Sequence, residues 1–245
     1  MTTATFSLAE LRAAYTALHA GAFTTDPTPQ PETATAAVAE LPAAAADAVV
    51  GVVGVSGGVG TTTVALAVAE ALGAGRLVEL TALHTSGLAA ASWAELGTQH
   101  GWSVGTRDVL RLERRADPDA TVLPDTSAGV TVLDLGAWAD GVPAVSLLVV
   151  VAVCSVPSVR RLDARLDTVD DLRVVPVITS VPGRVLPKPV GSVCGARLRA
   201  AAAEGRLLLV PECASLRVGG VTADPLPRRL RSAVDVIKSC VEEIS

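Results

Sequence analysis

Between residues 54 and 63 the chain reads Gly54-Val55-Ser56-Gly57-Gly58-Val59-Gly60-Thr61-Thr62-Thr63. Glycines this close together let successive backbone N–H groups converge on one anion with no Cβ in the way. In the standard phosphate-binding loop, a lysine after the last glycine reaches the β- and γ-phosphates, and the next hydroxyl binds Mg²⁺. Here Thr61 stands in the lysine's place and Thr62 in the hydroxyl's. Gly57, Gly58, Val59, Gly60, Thr61, Thr62 and Thr63 are therefore the candidate phosphate contacts, and the strongest cation of the motif is missing.

Such a loop works only between a strand and a helix. Ala48-Val49-Val50-Gly51-Val52-Val53 is an apolar, β-branched run and reads as a buried strand. Residues 64–72 are rich in helix formers, and Gly73 and Gly75 mark their end. The first-turn amides of that helix have no intrahelical partner and face the loop with the positive end of the dipole. Further apolar strands are expected at 76–80, 130–135, 146–153, 173–179 and 206–210, separated by segments of helical composition. That alternation specifies an α/β fold with a doubly wound, mostly parallel sheet and helices on both faces, which binds ligands at the carboxyl ends of its strands.

Half of the 245 residues are hydrophobic but only 2% are aromatic, so Val, Leu and Ala must build the core. Lys188 and Lys238 are the only lysines; this arginine and alanine bias points to a GC-rich, bacterial source. The net charge of −5 is uneven: from Arg184 onward ten basic and six acidic side chains give +4, which leaves −9 on the rest. A basic face could attract DNA, although solvated helix faces give the same count. Cys154, Cys194, Cys213 and Cys240 show no metal-ligand spacing and read as thiols of a reducing cytoplasm. No signal sequence or membrane-length apolar run is visible, so the protein is placed in the cytoplasm.

Residues 1–20 carry a capping box, Ser7-Leu8-Ala9-Glu10, followed by Leu11, Tyr15 and Leu18 on one helical face. Residues 21–47 are a Pro/Ala/Thr-rich linker with Pro27, Pro29, Pro31 and Pro42. A tethered amphipathic helix could dock on a protein partner or fold back on its own domain. The rest, 48–245, forms the main domain. Within it, 83–125 reads as a helical insert, with a helix over about 87–96 and Trp93 and Trp102 as packing anchors. At the end of the chain Leu230, Val234, Ile237, Val241 and Ile244 form an apolar stripe. Glu242, Glu243 and the lack of aromatic anchors favour packing on the sheet over a membrane surface.

The loop, the helix after it and the strand Thr131-Val132-Leu133-Asp134 together resemble the ParA/MinD family of deviant Walker ATPases, whose loop reads K-G-G-x-G-K-[ST]. Gly57, Gly58, Gly60 and Thr62 match that pattern. The resemblance implies ATP or ADP with Mg²⁺ as ligand, with Thr62 and Asp134 holding the metal, a homodimer, and DNA partition or cargo positioning. It also places Pro211, in Val210-Pro211-Glu212, near the adenine. Ser56 replaces the signature lysine that, in the family, reaches across the dimer. Glu79 and Thr81 stand where the family has two aspartates, so the hydrolytic carboxylate is missing too. Non-specific DNA contact would fall to Arg197, Arg199, Arg228, Arg229 and Arg231. With both lysines gone, hydrolysis should be negligible unless Arg76, Arg160 or Arg161 substitutes, while weak nucleotide binding survives on backbone amides and Mg²⁺.

Two other readings remain open. The same fold could serve as an interaction scaffold that binds no nucleotide. Alternatively, Gly51, Gly54 and Gly57 followed by Glu79 at the end of the second strand fit an NAD-binding oxidoreductase of Rossmann type.

Overall fold

The computed structural model describes residues 48–81, 86–120, 129–139, 144–169 and 173–242. The expected N-terminal helix and linker lie outside these residues, as do parts of the 83–125 segment.

Strand β1 (Ala48–Gly54) is buried along nearly its whole length and leads through the glycine loop into helix α1 (Thr61–Leu72). The helix stops where expected: Gly73 takes a left-handed φ of 61°, and the amides of Gly73 and Ala74 bond back to the carbonyls of Glu70 and Ala69. The chain continues through β2 (Arg76–Glu79), β3 (Ala94–Gln99), β4 (Trp102–Arg107), β5 (Leu110–Arg115), β6 (Val130–Ala137) and β7 (Leu147–Val153). Helix α2 (Val156–Leu166), strand β8 (Val174–Val181), helices α3 (Lys188–Gly191) and α4 (Ala196–Ala203) and strand β9 (Leu208–Pro211) follow. Helices α5 (Ala214–Gly219), α6 (Arg228–Val234) and α7 (Val236–Glu242) close the described chain.

All nine strands form one sheet, in the order β3-β4-β5-β2-β6-β1-β7-β8-β9. From β5 to β9 every neighbouring pair is parallel. The loop strand β1 lies between β6 and β7 near the middle, where helices cover both faces and strands can be continuously apolar. Each of the six strands expected from composition is present. Leu230, Val234, Ile237 and Val241 are buried, with α6 packed on β9 and α1, so the C-terminal stripe faces the core. No helix among the described residues is long and apolar enough to cross a membrane.

The helical reading of 83–125 is corrected. Residues 94–115 form an antiparallel meander, β3-β4-β5, that widens the sheet on the β2 side. His100 and Gly101 both take positive φ, 49° and 82°, which closes a two-residue hairpin matched to the twist of the flanking strands. Alternation in Trp102-Ser103-Val104 buries Trp102 and Val104 on one face of the sheet, where Trp102 packs on Val78 and Leu133, and alternation in Leu110-Arg111-Leu112 buries Leu110 and Leu112 in the main core on the other face. Trp93, in contrast, is 58% exposed, and its indole donates to the Ala223 carbonyl. Buried Arg107 donates from Nε to Glu70 (2.7 Å) and from its terminal nitrogens to the carbonyls of Ala91 (3.0 Å), Thr222 (2.6 Å) and Asp224 (2.6 Å). One side chain thereby ties the meander to α1 and to the segment before α6.

Candidate nucleotide site

The glycine loop is held from below and open above. Its first residue, Val55, donates to the Val151 carbonyl of β7 (2.9 Å). At its far end Gly58 and Gly60 take φ of 75° and 91°, a left-handed turn that costs glycine little. A Cβ built on Gly57 or Gly58 would meet nothing within 4 Å, so these glycines face open space at the loop mouth. Val59 is buried, and its carbonyl accepts from Thr179 Oγ1 (2.7 Å), which also lies 3.2 Å from the Ala152 carbonyl. Gly60 gives α1 no side-chain cap, which leaves the first-turn amides available to an anion.

The residue in the lysine's place does not imitate it. Thr61 is buried, and its Oγ1 lies 2.3 Å from where a Cβ on Gly54 would stand. Its hydroxyl is therefore packed under the loop, and its backbone amide is what it offers a ligand. Thr62 and Thr63 are only partly buried.

Asp134 is brought to this end of the sheet by pairing with β1 on one side and β2 on the other, opposite Val52 and Glu79. It is completely buried, and its Oδ1 accepts from the Gly136 amide (3.0 Å). Burial pushes its pKa up to about 6; the Thr62 hydroxyl and the Gly136 amide oppose the rise, and the charge of Glu79 adds to it. Oδ2 has no hydrogen-bond partner. An orphaned buried carboxylate oxygen beside a threonine hydroxyl at a helix N-terminus suits a hard cation with oxygen ligands. Among the described residues no three His, Cys, Asp or Glu side chains converge on a metal position. A Mg²⁺ held by Thr62 and Asp134 would thus take its other ligands from water and phosphate, as this ion commonly does.

Glu79 is also buried, and the chain engages both of its oxygens. Oε2 accepts from Ser86 Oγ (2.5 Å) and Oε1 from the Gly87 amide (2.8 Å). Thr81, where the family has its second aspartate, packs its methyl against Gly136, whose φ is 67°. Pro211 ends β9 three strands from β1, roughly 14 Å across the sheet and on the same edge as the loop.

Of the arginines offered as substitutes for lysine, one is paired at the far end of its strand and two are exposed. Arg76 opens β2, at the opposite end from Glu79, and pairs with buried Glu113 (2.5 Å); Arg160 and Arg161 sit on the exposed face of α2. Of the DNA candidates, Arg197 pairs with Asp167 (3.1 Å) and Arg199 bonds the Cys194 carbonyl, whereas Arg228, Arg229 and Arg231 are exposed on α6. Arg228 and Arg231 line an open pocket of about 350 Å³ with Lys238, Glu70 and Asp235.

Sequence reasoning missed four contributors. Thr179 supports the loop from two strands away. Trp138 donates its amide to the Gly54 carbonyl (2.7 Å) and stacks under Arg165, 5.1 Å from the ring centre. Glu79 holds Ser86 and Gly87 by hydrogen bonds, which sets Gly87 against Thr62. Of these positions, only Thr179 follows a strand pattern that could have marked it.

The sequence matches no protein-family model and no curated protein. Its structure, however, is similar to solved structures of partition and division ATPases. A ParA family ATPase from Chlorobium tepidum TLS superposes with a TM-score of 0.52 at 14% identity, over 79% of this chain and 98% of that one. A Borrelia burgdorferi B31 protein assigned to plasmid partition, bound to AMPPNP, gives 0.53 at 12% identity over 80% and 99%. The septum site-determining protein MinD of Pyrococcus horikoshii OT3, complexed with Mg-ADP, gives 0.50 at 14% identity over 80% and 96%. The chain has the fold of the ParA/MinD P-loop ATPases. At these identities the likeness establishes the fold, and the site must be argued from its own residues.

Proposed function

We propose that this domain binds a Mg²⁺-nucleotide, ATP or ADP, weakly and with little or no hydrolysis, and that it acts in partition or positioning of DNA or another cargo through protein contacts. The observation that carries the nucleotide reading is Asp134: a fully buried carboxylate with a free oxygen beside Thr62, at the mouth of a glycine loop. Two structures of the same fold hold AMPPNP and Mg-ADP, which supports the same ligand class here. Loss of hydrolysis follows from Ser56, Thr61 and Thr81. A single positive group is worth about 10³ or more in phosphoryl-transfer rate, and of the arginines considered as substitutes Arg76 is committed to Glu113 while Arg160 and Arg161 are exposed on α2.

The partner side of the proposal draws on the fold. A homodimer, a protein partner for residues 1–20, and salt-sensitive DNA contact through Arg228, Arg229 and Arg231 are its components. A scaffold that binds no nucleotide is the second reading. Thr61 packed under the loop and Gly87 standing against Thr62 favour it. The NAD reading loses its main support, because both Glu79 oxygens already accept from Ser86 and Gly87 instead of remaining open to a ribose.

Calorimetric titration with ATP, ADP and NAD, with and without Mg²⁺, followed by a turnover assay, tests these readings together. Mg²⁺-dependent binding of adenine nucleotides at micromolar to millimolar Kd with no turnover is the expected result. Silence with every nucleotide favours the scaffold, and binding of NAD alone restores the oxidoreductase.

A further inference from the structure

The segment that Glu79 captures lies directly against the side chain on which a metal-nucleotide would depend. A Cβ on Gly87 would stand 2.9 Å from Thr62 Cγ2 and 3.2 Å from Thr62 Oγ1, so the Gly87 backbone packs on the Thr62 side chain too closely for a larger residue at this position. Gly87 is held there by its amide bond to Glu79 Oε1 (2.8 Å), and its neighbour Ser86 by a short hydroxyl bond to Oε2 (2.5 Å). Both are charge-assisted bonds inside the fold, the strong class. Glu79 is fixed in turn by β2, which pairs with β6 in a register that sets it beside Asp134.

We propose that Ser86 and Gly87, fastened to Glu79, form a latch over Thr62 that must open before a Mg²⁺-nucleotide binds. The inference rests on the nucleotide reading above and deepens it. Thr62 must present its hydroxyl to a metal about 2.1 Å away that also keeps several waters. A backbone packed on the same side chain competes for that volume. The two states also compete for Glu79. Closed, its buried carboxylate has two donors from the chain; open, it loses both and needs water or a nearby cation in their place. A cation at Thr62 and Asp134 would supply that compensation, so metal-nucleotide binding and latch opening favour one another. Affinity is then reduced by the fraction of molecules that are closed. The latch therefore accounts for weak binding in addition to the missing lysines.

Two substitutions loosen the latch without changing charge. Ser86→Ala removes one of its two hydrogen bonds, and Gly87→Ala places a methyl against Thr62. Each is titrated with AMPPNP plus Mg²⁺ beside the wild type, and exchange of the Gly87 amide is followed in wild type with and without saturating ligand. The expected result is about tenfold tighter binding for Ser86→Ala, the worth of one charge-assisted bond, and tighter binding for Gly87→Ala as well. The Gly87 amide should be protected in free wild type and exposed when ligand saturates.

Binding of equal strength in wild type and both variants, or a Gly87 amide that exchanges freely in the unliganded protein, overturns the latch and leaves the nucleotide reading standing. No binding by any of the three at millimolar ligand overturns the nucleotide reading and the latch with it. Thermal unfolding of each variant identifies one that fails to fold, and the exchange experiment on wild type then decides.

Discussion

Replacing Asp134 by asparagine should make the protein more stable at neutral pH while removing its capacity for Mg²⁺. The carboxyl ionises near 6 in the fold because it is buried, against an ordinary aspartate near 3.9 when the chain is unfolded. Between those values the native state holds a proton that the unfolded state has released. The stability this group contributes is thus fully present below about pH 4 and is lost as the pH rises through 6. At 1.36 kcal/mol per pH interval, the loss at pH 7 is about 3 kcal/mol. Asparagine keeps the acceptor for the Gly136 amide and never ionises, so it avoids the loss. The measurement is urea unfolding of wild type and Asp134→Asn from pH 4 to pH 7.5, with EDTA and no nucleotide. Other titrating groups are shared and cancel to first order in the difference. That difference should move by about 3 kcal/mol in favour of Asn between pH 4 and 7 and then level off. A flat difference, or one that moves the other way, would refute the claim that burial strains Asp134. Calorimetry with Mg²⁺-nucleotide should show the opposite ranking, with the more stable variant binding less well.

Other expectations follow from single contacts. Thr61→Lys restores the missing cation, and its long side chain must leave the packed site beneath the loop; nucleotide titration should show at least tenfold tighter binding, in line with a new charge-assisted contact. Thr179→Val removes the hydroxyl that supports the Val59 carbonyl, at a cost of about 1–2 kcal/mol in denaturant unfolding and with faster amide exchange at Gly57, Gly58 and Gly60. Arg107→Ala strips four acceptors of their donor, including the partly buried Glu70, and should destabilise by about 3 kcal/mol or more in the same unfolding assay, with loss of protection around Val221 and Leu226. Arg228, Arg229 and Arg231 changed together to alanine should lower both the affinity for random duplex DNA and its salt dependence, measured by fluorescence anisotropy.

The alternation of short apolar runs with helical segments was enough to specify a doubly wound sheet, because strands buried on both faces leave an unmistakable local composition. The glycine loop was legible for a similar reason: backbone amides can converge on an anion only where several side chains are missing, and that absence is written in the sequence. Residues 94–115 show where local signals mislead. Gly101 closes a hairpin while Gly97 and Gly105 lie within strands, and helix formers such as Ala94 and Glu95 take a strand because they pair with β4. Propensity yields there to pairing.

The sequence by itself determined which groups are at hand: a loop with glycines, Thr62 and Asp134 but with Ser56 and Thr61 in place of lysines. It could not determine where those groups point. Only the tertiary structure buries the Thr61 hydroxyl against Gly54, draws Thr179 under the loop from β8, and leaves one oxygen of Asp134 without a partner. Only the register of β2 against β6 sets Glu79 beside Asp134, where it holds Ser86 and Gly87, and Gly87 against Thr62. Some of these contacts, such as Thr179 under Val59 and Glu79 beside Asp134, join residues distant in the chain, and the energies of all of them depend on burial and neighbours that no local run of residues encodes.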